Sequence, residues 1–334
     1  MIGVAVVGLG YWGPNLVRNV LGNSRMQLVA ICDYSSENLQ RMAAKVPGIM
    51  ATTNFEDLLS NPQIDALIIA TSVMTHYELA IRALKTGKHV LVEKPMAHSA
   101  ECAARLIEEA DKKNLIIMVD HTFVYTSAVR KIKELVDSDD IGQIHYYDSV
   151  RINLGIFQSD VNVIWDLAVH DFSIMDYIFG RAPVQISAIA RSHVPGQPDN
   201  MAYVTALYSD GLVAHCHVNW MAPMKVRTTL IGGARKMIVY NDIQSDEKIK
   251  IYNKGVSVDS ERTDLRINYR SGDMHAPMLD NVEALSRVIE AFADAIERKA
   301  VSPTAGQCGL RVVKMLEAAS ISAKRLGEPV TPQA

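Results

Sequence analysis

The chain opens with Ile2-Gly3-Val4-Ala5-Val6-Val7, and Gly8-Leu9-Gly10-Tyr11-Trp12-Gly13 follows directly. The first run is short and continuously apolar, the pattern of a strand buried on both faces of a parallel sheet. Behind it, Gly8 permits a tight turn, Gly10 lets backbone approach a pyrophosphate, and Gly13 lets the next helix pack closely. The amides at the start of that helix then face the phosphates. A second strand, Gln27 to Cys32, ends at Asp33, about 20 residues past the last glycine, where a carboxylate receives an adenosine ribose. Glycines at this spacing also line other phosphate sites; the strand before them and the acid after them point to a dinucleotide. Asp33 favours NAD over NADP, because a carboxylate repels a 2′-phosphate and no arginine stands directly beside it.

The 334 residues, 49% of them apolar, suit two domains better than one core. A net charge of -3 supplies no basic footprint for nucleic acid. No apolar run is long enough for a membrane helix and no export signal precedes the first strand, so the expected compartment is the cytoplasm. Cys32, Cys102, Cys216 and Cys308 lie scattered in apolar sequence, as small buried side chains in a reducing compartment do.

Further along, Ile64 to Ala70 reads as another buried strand, and Thr71 at its carboxyl end is placed beside the cofactor. His76 follows, either packing at a helix start or reaching the nicotinamide side. His89 to Val92 is the next strand and delivers Glu93-Lys94-Pro95 at the cofactor edge of the sheet. The proline holds Lys94 extended, and an ammonium there can stabilise a developing alkoxide; whether the Lys94-Pro95 bond is cis is not legible. Ile116 to Val119 completes an α/β domain at residues 1–121, and residues 122–334 form a second domain for substrate and oligomerisation, whose last helix could pack back on the first.

In the second domain Asn162 caps a helix that runs to Phe179 before Gly180. At helical spacing Asp166, His170, Ser173 and Tyr177 form one polar stripe on an otherwise apolar helix. Histidine titrates near neutrality and suits a general base, and a carboxylate one turn earlier can hold a neighbouring hydroxyl. Tyr147, Asn162 and Trp165 are candidate walls or hydrogen-bonding groups. Segments from Val184 to Tyr252, broken by Asp210-Gly211, Gly232-Gly233 and Asn241-Asp242, predict an antiparallel sheet. His215 and His217 share a face of it, but two histidines without a third ligand make no metal site, and no metal is expected. Arg227 serves either the surface or an anionic part of the substrate. The sheet is apolar enough to need covering by a second copy of the chain, in a homodimer or homotetramer.

Gly8 to Gly13, Glu93-Lys94-Pro95 and the Asp166/His170 pair, ahead of a mostly antiparallel sheet, together resemble the Gfo/Idh/MocA oxidoreductases over essentially the whole chain. The resemblance implies an α/β protein with an N-terminal Rossmann domain and an α+β C-terminal domain. It implies NAD(P) bound by Gly8, Gly10, Tyr11, Trp12, Gly13, Asp33, Thr71, His76, Glu93 and Lys94. By the same likeness Lys94, Asp166 and His170 are catalytic, and Tyr147, Asn162, Trp165, Asp166, His170 and Arg227 face the substrate. Residues 151–158 and Asn162 to Asp166 look like a branch associated with nucleotide sugars. The implied activity is therefore reversible oxidation of a ring secondary hydroxyl of a sugar, a nucleotide sugar at its 3-position first of all. The alternatives are a free inositol or aldose dehydrogenase and, from another class, a non-catalytic sugar or NAD sensor. Val73 and Asp120 depart from the family pattern, the latter replacing a glycine.

Overall fold

The computed structural model describes residues 1–155, 157–158, 160–259 and 266–332, so residue 156 of the predicted branch segment lies outside the described residues. The chain forms two compact units. The first is Met1–Tyr125 with Val282–Lys314, and the second is Thr126–Asn281 with Met315–Ala334.

Six parallel strands make the sheet of the first unit: β1 (Ile2–Val7), β2 (Met26–Cys32), β3 (Met50–Thr52), β4 (Ala66–Ile69), β5 (His89–Glu93) and β6 (Ile117–Asp120). Their spatial order is β3-β2-β1-β4-β5-β6, the doubly wound order, and it reverses between β1 and β4. The alternation with α1 (Gly13–Leu21), α2 (Ser36–Ala43), α3 (Phe55–Ser60), α4 (Val73–Lys85) and α5 (Ala100–Lys113) is why every strand runs the same way. β1, β4 and the centre of β5 are buried throughout, which is why they read as unbroken apolar runs.

The sequence grouped 122–334 into one domain whose last helix could pack back on the first. In the structure residues 282–314, which include the start of the last helix (Gly306–Lys324), group with the first unit. An ionic cluster accompanies them: Arg25 pairs with Glu290, Asp294 and Glu297 of the helix Ala284–Arg298, and Arg18 pairs with Glu283. The edge of β6 is closed as well, since Val119 N–H donates to the Thr304 carbonyl.

The second unit begins with α6 (Ser127–Asp137) and β7 (Ile144–Leu154). Next come a π-helical turn (Ile164–Ala168) and α7 (Val169–Phe179). The strands β8 (Gln185–Arg191), β9 (Met201–Leu207), β10 (Val213–Asn219), β11 (Met221–Gly233), β12 (Met237–Asn241) and β13 (Ile249–Tyr252) follow. Gly255–Asp259 and Arg266–Arg270 form a separate hairpin, and Met274–His275 adds the edge of the main sheet beyond β13. The eight-stranded sheet is mixed and mostly antiparallel, β7 and β10 being its parallel pair. One face packs beneath α7, which explains the strict burial alternation of β8, β9 and β10. The other face exposes Ile189, Tyr203, Leu207 and Val213.

Among the described residues, no helix is long and apolar enough to cross a membrane.

Candidate active site

In the first unit the glycine loop sits where the strand order reverses. Gly8 has φ +91°, and a Cβ there would lie 2.5 Å from the Ala70 carbonyl oxygen at the end of β4. At Gly13 a Cβ would stand 2.0 Å from the Gly8 carbonyl oxygen. The helix can approach the strand end only because neither residue has a side chain. A Cβ on Gly10 would meet nothing within 4 Å, so the loop's outer side is open for a ligand to approach its backbone. Trp12 caps α1 without a side-chain hydrogen bond to the amides of its first turn, and that turn holds no acid that would compete for an anion. This cradle fits the pyrophosphate of a dinucleotide. Gly13→Ala is expected to cost about 1–3 kcal/mol in stability and to weaken NADH binding, because the clash is with backbone and cannot be relieved by a rotamer; denaturant unfolding and NADH titration check both.

Asp33 is buried, and its carboxylate accepts from the Leu9 amide at 2.6 Å and the Ser35 amide at 2.8 Å. It therefore holds the glycine loop against the end of β2. Arg41, one turn into α2, donates to Asn38 Oδ1 at 2.9 Å and lies near the Leu9 carbonyl at 3.5 Å. Tyr11 is 89% exposed, available to a ligand but fixed by no packing.

Thr71 follows β4 and receives the Thr75 hydroxyl at 2.7 Å. His76 is buried, Nδ1 facing the Pro95 carbonyl at 2.9 Å and Nε2 the Thr71 carbonyl at 3.1 Å. A neutral ring donates to one of these carbonyls, which one being set by its tautomer, and His76 lies between the two loops. The Lys94-Pro95 bond is cis, and Lys94 is half-buried at the carboxyl end of β5.

Beside Lys94 lies a pair of acids that a linear reading does not bring together. Glu93 and Asp120 stand opposite each other in the β5/β6 register. Asp120 accepts the Trp12 indole at 3.2 Å and the Thr122 hydroxyl at 2.7 Å. Glu93 accepts the Lys94 amide through Oε2 at 3.1 Å, while its Oε1 is buried with no N–H or O–H donor. Burial first, then the Asp120 carboxylate, push the Glu93 carboxyl well above its usual range. Burial also raises Asp120, against hydrogen bonds from Glu93, Thr122 and Trp12. His121 is 1% exposed, and burial followed by the Lys94 charge lowers its pKa to about 3.

In the second unit Asn162 caps as expected, its Oδ1 accepting the Ile164 and Trp165 amides at 3.1 and 3.2 Å. The helix behind it is not uniform. Ile164–Ala168 winds as a π turn before α7 begins, and such widened turns occur often at functional sites. Asp166 and His170 are half-buried on this segment. Trp220 of the sheet donates its indole N–H to Asp166 Oδ2 at 3.0 Å, and Trp165 donates to Ser320 Oγ at 2.8 Å. The rest of the predicted polar stripe breaks up. Ser173 is fully buried and returns its hydroxyl to the His170 carbonyl at 2.8 Å, and Tyr177 turns toward charges on α6.

Two substrate candidates have partners within the fold. Tyr147 lies on the inner face of β7, 0% exposed and edge-on to Phe179 at 5.9 Å, so it is core and cannot wall a sugar. Its neighbour Tyr146 takes the outer face, as strand alternation requires. Arg227 pairs with Asp242 at 3.3 Å, its side chain partly exposed.

A buried ion pair next to His170 was missed. Asp171 is 0% exposed and accepts the Arg151 Nε at 3.0 Å and the Ser149 hydroxyl at 2.6 Å. Ser149 and Arg151 alternate on the inner face of β7 with Tyr147, and two polar residues on an apolar face were the available signal.

Known proteins agree with this architecture. Residues 2–121 match the oxidoreductase family with the NAD-binding Rossmann fold, GFO_IDH_MocA, and residues 129–239 match the GFO/IDH/MocA C-terminal domain. A myo-inositol 2-dehydrogenase of Thermotoga maritima is 29% identical over 197 residues, 55% of this chain and 57% of that enzyme. The chain thus spans little more than half of that relative's length. Two solved structures share the fold over nearly all of both chains. GenD2 of gentamicin A biosynthesis, solved with NAD, superposes at a TM-score of 0.84 with 21% identity, covering 100% of this chain and 97% of GenD2. The UDP-N-acetylglucosamine 3-dehydrogenase GnnA of Acidithiobacillus ferrooxidans does so at 0.82 with 23% identity, covering 98% and 99%. With an NAD-binding Rossmann unit on one side of residue 121 and the family's own C-terminal domain beyond it, the chain belongs to the GFO/IDH/MocA oxidoreductases.

Proposed function

We propose that this protein is an NAD-dependent dehydrogenase that reversibly oxidises a ring secondary hydroxyl of a sugar, a nucleotide sugar at its 3-position in the first instance. The observation that carries the reading is the half-buried Asp166/His170 pair, fixed by the Asn162 cap and the Trp220 indole on a helix that is otherwise core. Such a helix has no structural need for two titratable side chains at its start. In this mechanism His170 takes the hydroxyl proton, Lys94 stabilises the developing oxyanion, and Asp166 holds a neighbouring hydroxyl. Bound NAD supplies the hydride acceptor. Gly8, Gly10, Gly13 and Asp33 hold the dinucleotide, with NAD preferred over NADP because Asp33 is a carboxylate.

A free cyclitol is the second reading. The 29% identity to a myo-inositol 2-dehydrogenase supports it. A panel of UDP- and dTDP-sugars, free aldoses and myo-inositol, followed by formation of the reduced dinucleotide, separates the two. Turnover confined to nucleotide sugars supports the first reading, turnover with myo-inositol the second. Binding of NAD without turnover of any member would make the protein a sensor.

The exposed row Ile189, Tyr203, Leu207 and Val213 supports burial of the sheet's outer face against a second copy. On that face His217 stacks on Tyr203 at 4.4 Å and His215 meets the Thr205 hydroxyl at 3.1 Å.

A further inference from the structure

Asp120 stands where a glycine was expected, directly beside Glu93 in adjacent parallel strands. Side chains at paired positions of neighbouring strands share one face, about 5 Å apart. Two carboxylates so placed and shielded from water cannot both be charged. The donors are unequally divided. Asp120 collects the Trp12 indole and the Thr122 hydroxyl, whereas Glu93 Oε1 is buried with no N–H or O–H to receive. A proton between the two carboxyls fills that gap. With it in place, hydrogen bonds run from the glycine loop at Trp12 through Asp120 and Glu93 to the main chain of Lys94.

We propose that Glu93 and Asp120 are positioning residues that share a single proton, and that this proton keeps the glycine loop and the Lys94 loop in register for the dinucleotide. Neither needs to touch the reacting atoms. Removing the proton places two negative charges side by side, and their repulsion drives apart the end of β5, which leads into Lys94, and the end of β6, whose Asp120 holds Trp12 of the glycine loop, so the competent loop arrangement is the protonated one. Affinity is then retained at low pH and lost as pH rises through the pair's upper titration, by about tenfold per unit for one proton.

The groups facing the pair are Lys94 from the end of β5, His121 and Tyr125 beyond β6, and Cys308 next to Tyr125. His121, at about 3, stays neutral throughout the accessible range, and Tyr125, raised by burial to about 12, keeps its proton. Lys94 and Cys308 are left intact by the substitutions below, so any step they cause survives in the variants.

The inference rests on the dinucleotide reading of the first unit. Its test is NADH binding to the full chain, followed by fluorescence from about pH 5.5 to 9.5, for wild type, Glu93→Gln and Asp120→Asn, with circular dichroism confirming folding at each pH. NADH is used because it is stable in alkali. Wild type is expected to lose affinity as pH rises with a one-proton slope. Both amide variants, which keep the hydrogen-bonding shape but cannot share a carboxyl proton, are expected to lose that slope. A flat wild-type profile, or an unchanged slope in both variants, overturns the proposal while leaving the dehydrogenase reading intact. A change of affinity by a constant factor with the slope preserved marks a merely structural role and also overturns it. Failure of NADH to bind at any pH removes both readings together.

Discussion

Replacing His170 by alanine is expected to lower turnover by about 10²–10⁴-fold, the range a positioned general base contributes, while NADH affinity changes little. The reason lies in where the residue sits. His170 begins α7, half-buried, whereas the glycine loop and Asp33 belong to another compact unit with its own sheet. In the proposed mechanism, loss of the imidazole removes the proton acceptor and leaves the glycine loop and Asp33 untouched. Steady-state kinetics on the best substrate of the panel, with NADH titration in parallel, give the two numbers. Unchanged turnover would end the assignment of His170 as the base, and a proportional fall in NADH affinity would show that the substitution acted through folding.

The largest stability effect is expected one residue further on. Asp171→Ala should destabilise the protein by about 3–5 kcal/mol, because it leaves the Arg151 guanidinium buried without its partner. The pair is deeply enclosed, with side chains 4% and 0% exposed at 3.0 Å. Burial opposes the Arg151 charge, and the Asp171 carboxylate outweighs that opposition and raises the arginine's pKa. Replacing both partners together, as Arg151→Met with Asp171→Leu, should cost much less, since neither charge is then stranded. Urea unfolding of the single and double variants measures the difference. Equal losses would show that the network is fixed by packing alone. A single variant that retains stability but loses turnover would mean that Asp171 acts on His170 directly.

Local signals were read well. Gly8, Gly10 and Gly13 are spaced by the geometry of one turn and one helix start, so their roles followed from a short stretch of chain. The cap at Asn162, the stop at Gly180 with φ +64°, and the buried runs of β1, β4 and β5 are likewise short-range patterns. Signals that depend on phase were read less well. Tyr147 and Tyr146 differ by one position, and only the packing of β7 beneath α7 decides which of them enters the core. Ser173 belongs to the polar stripe on a helical wheel, but its hydroxyl satisfies the carbonyl of His170, so it offers nothing to a ligand. The π turn at Ile164–Ala168 has no sequence marker of its own; its bonds depend on how Asp166 meets Trp220 and Trp165 meets Ser320.

The glycine loop, the strand and helix alternation and the charged pair before Pro95 were determined by the sequence itself, because each is a relation among residues a few positions apart. Tertiary structure alone decided that His76 would lie between Thr71 and Pro95, that residues 282–314 would group with the first unit, that Arg151 would neutralise Asp171, and that Asp120 would stand against Glu93. Each of these joins residues far apart in the chain, and which distant segments meet is set by how they exclude water from one another.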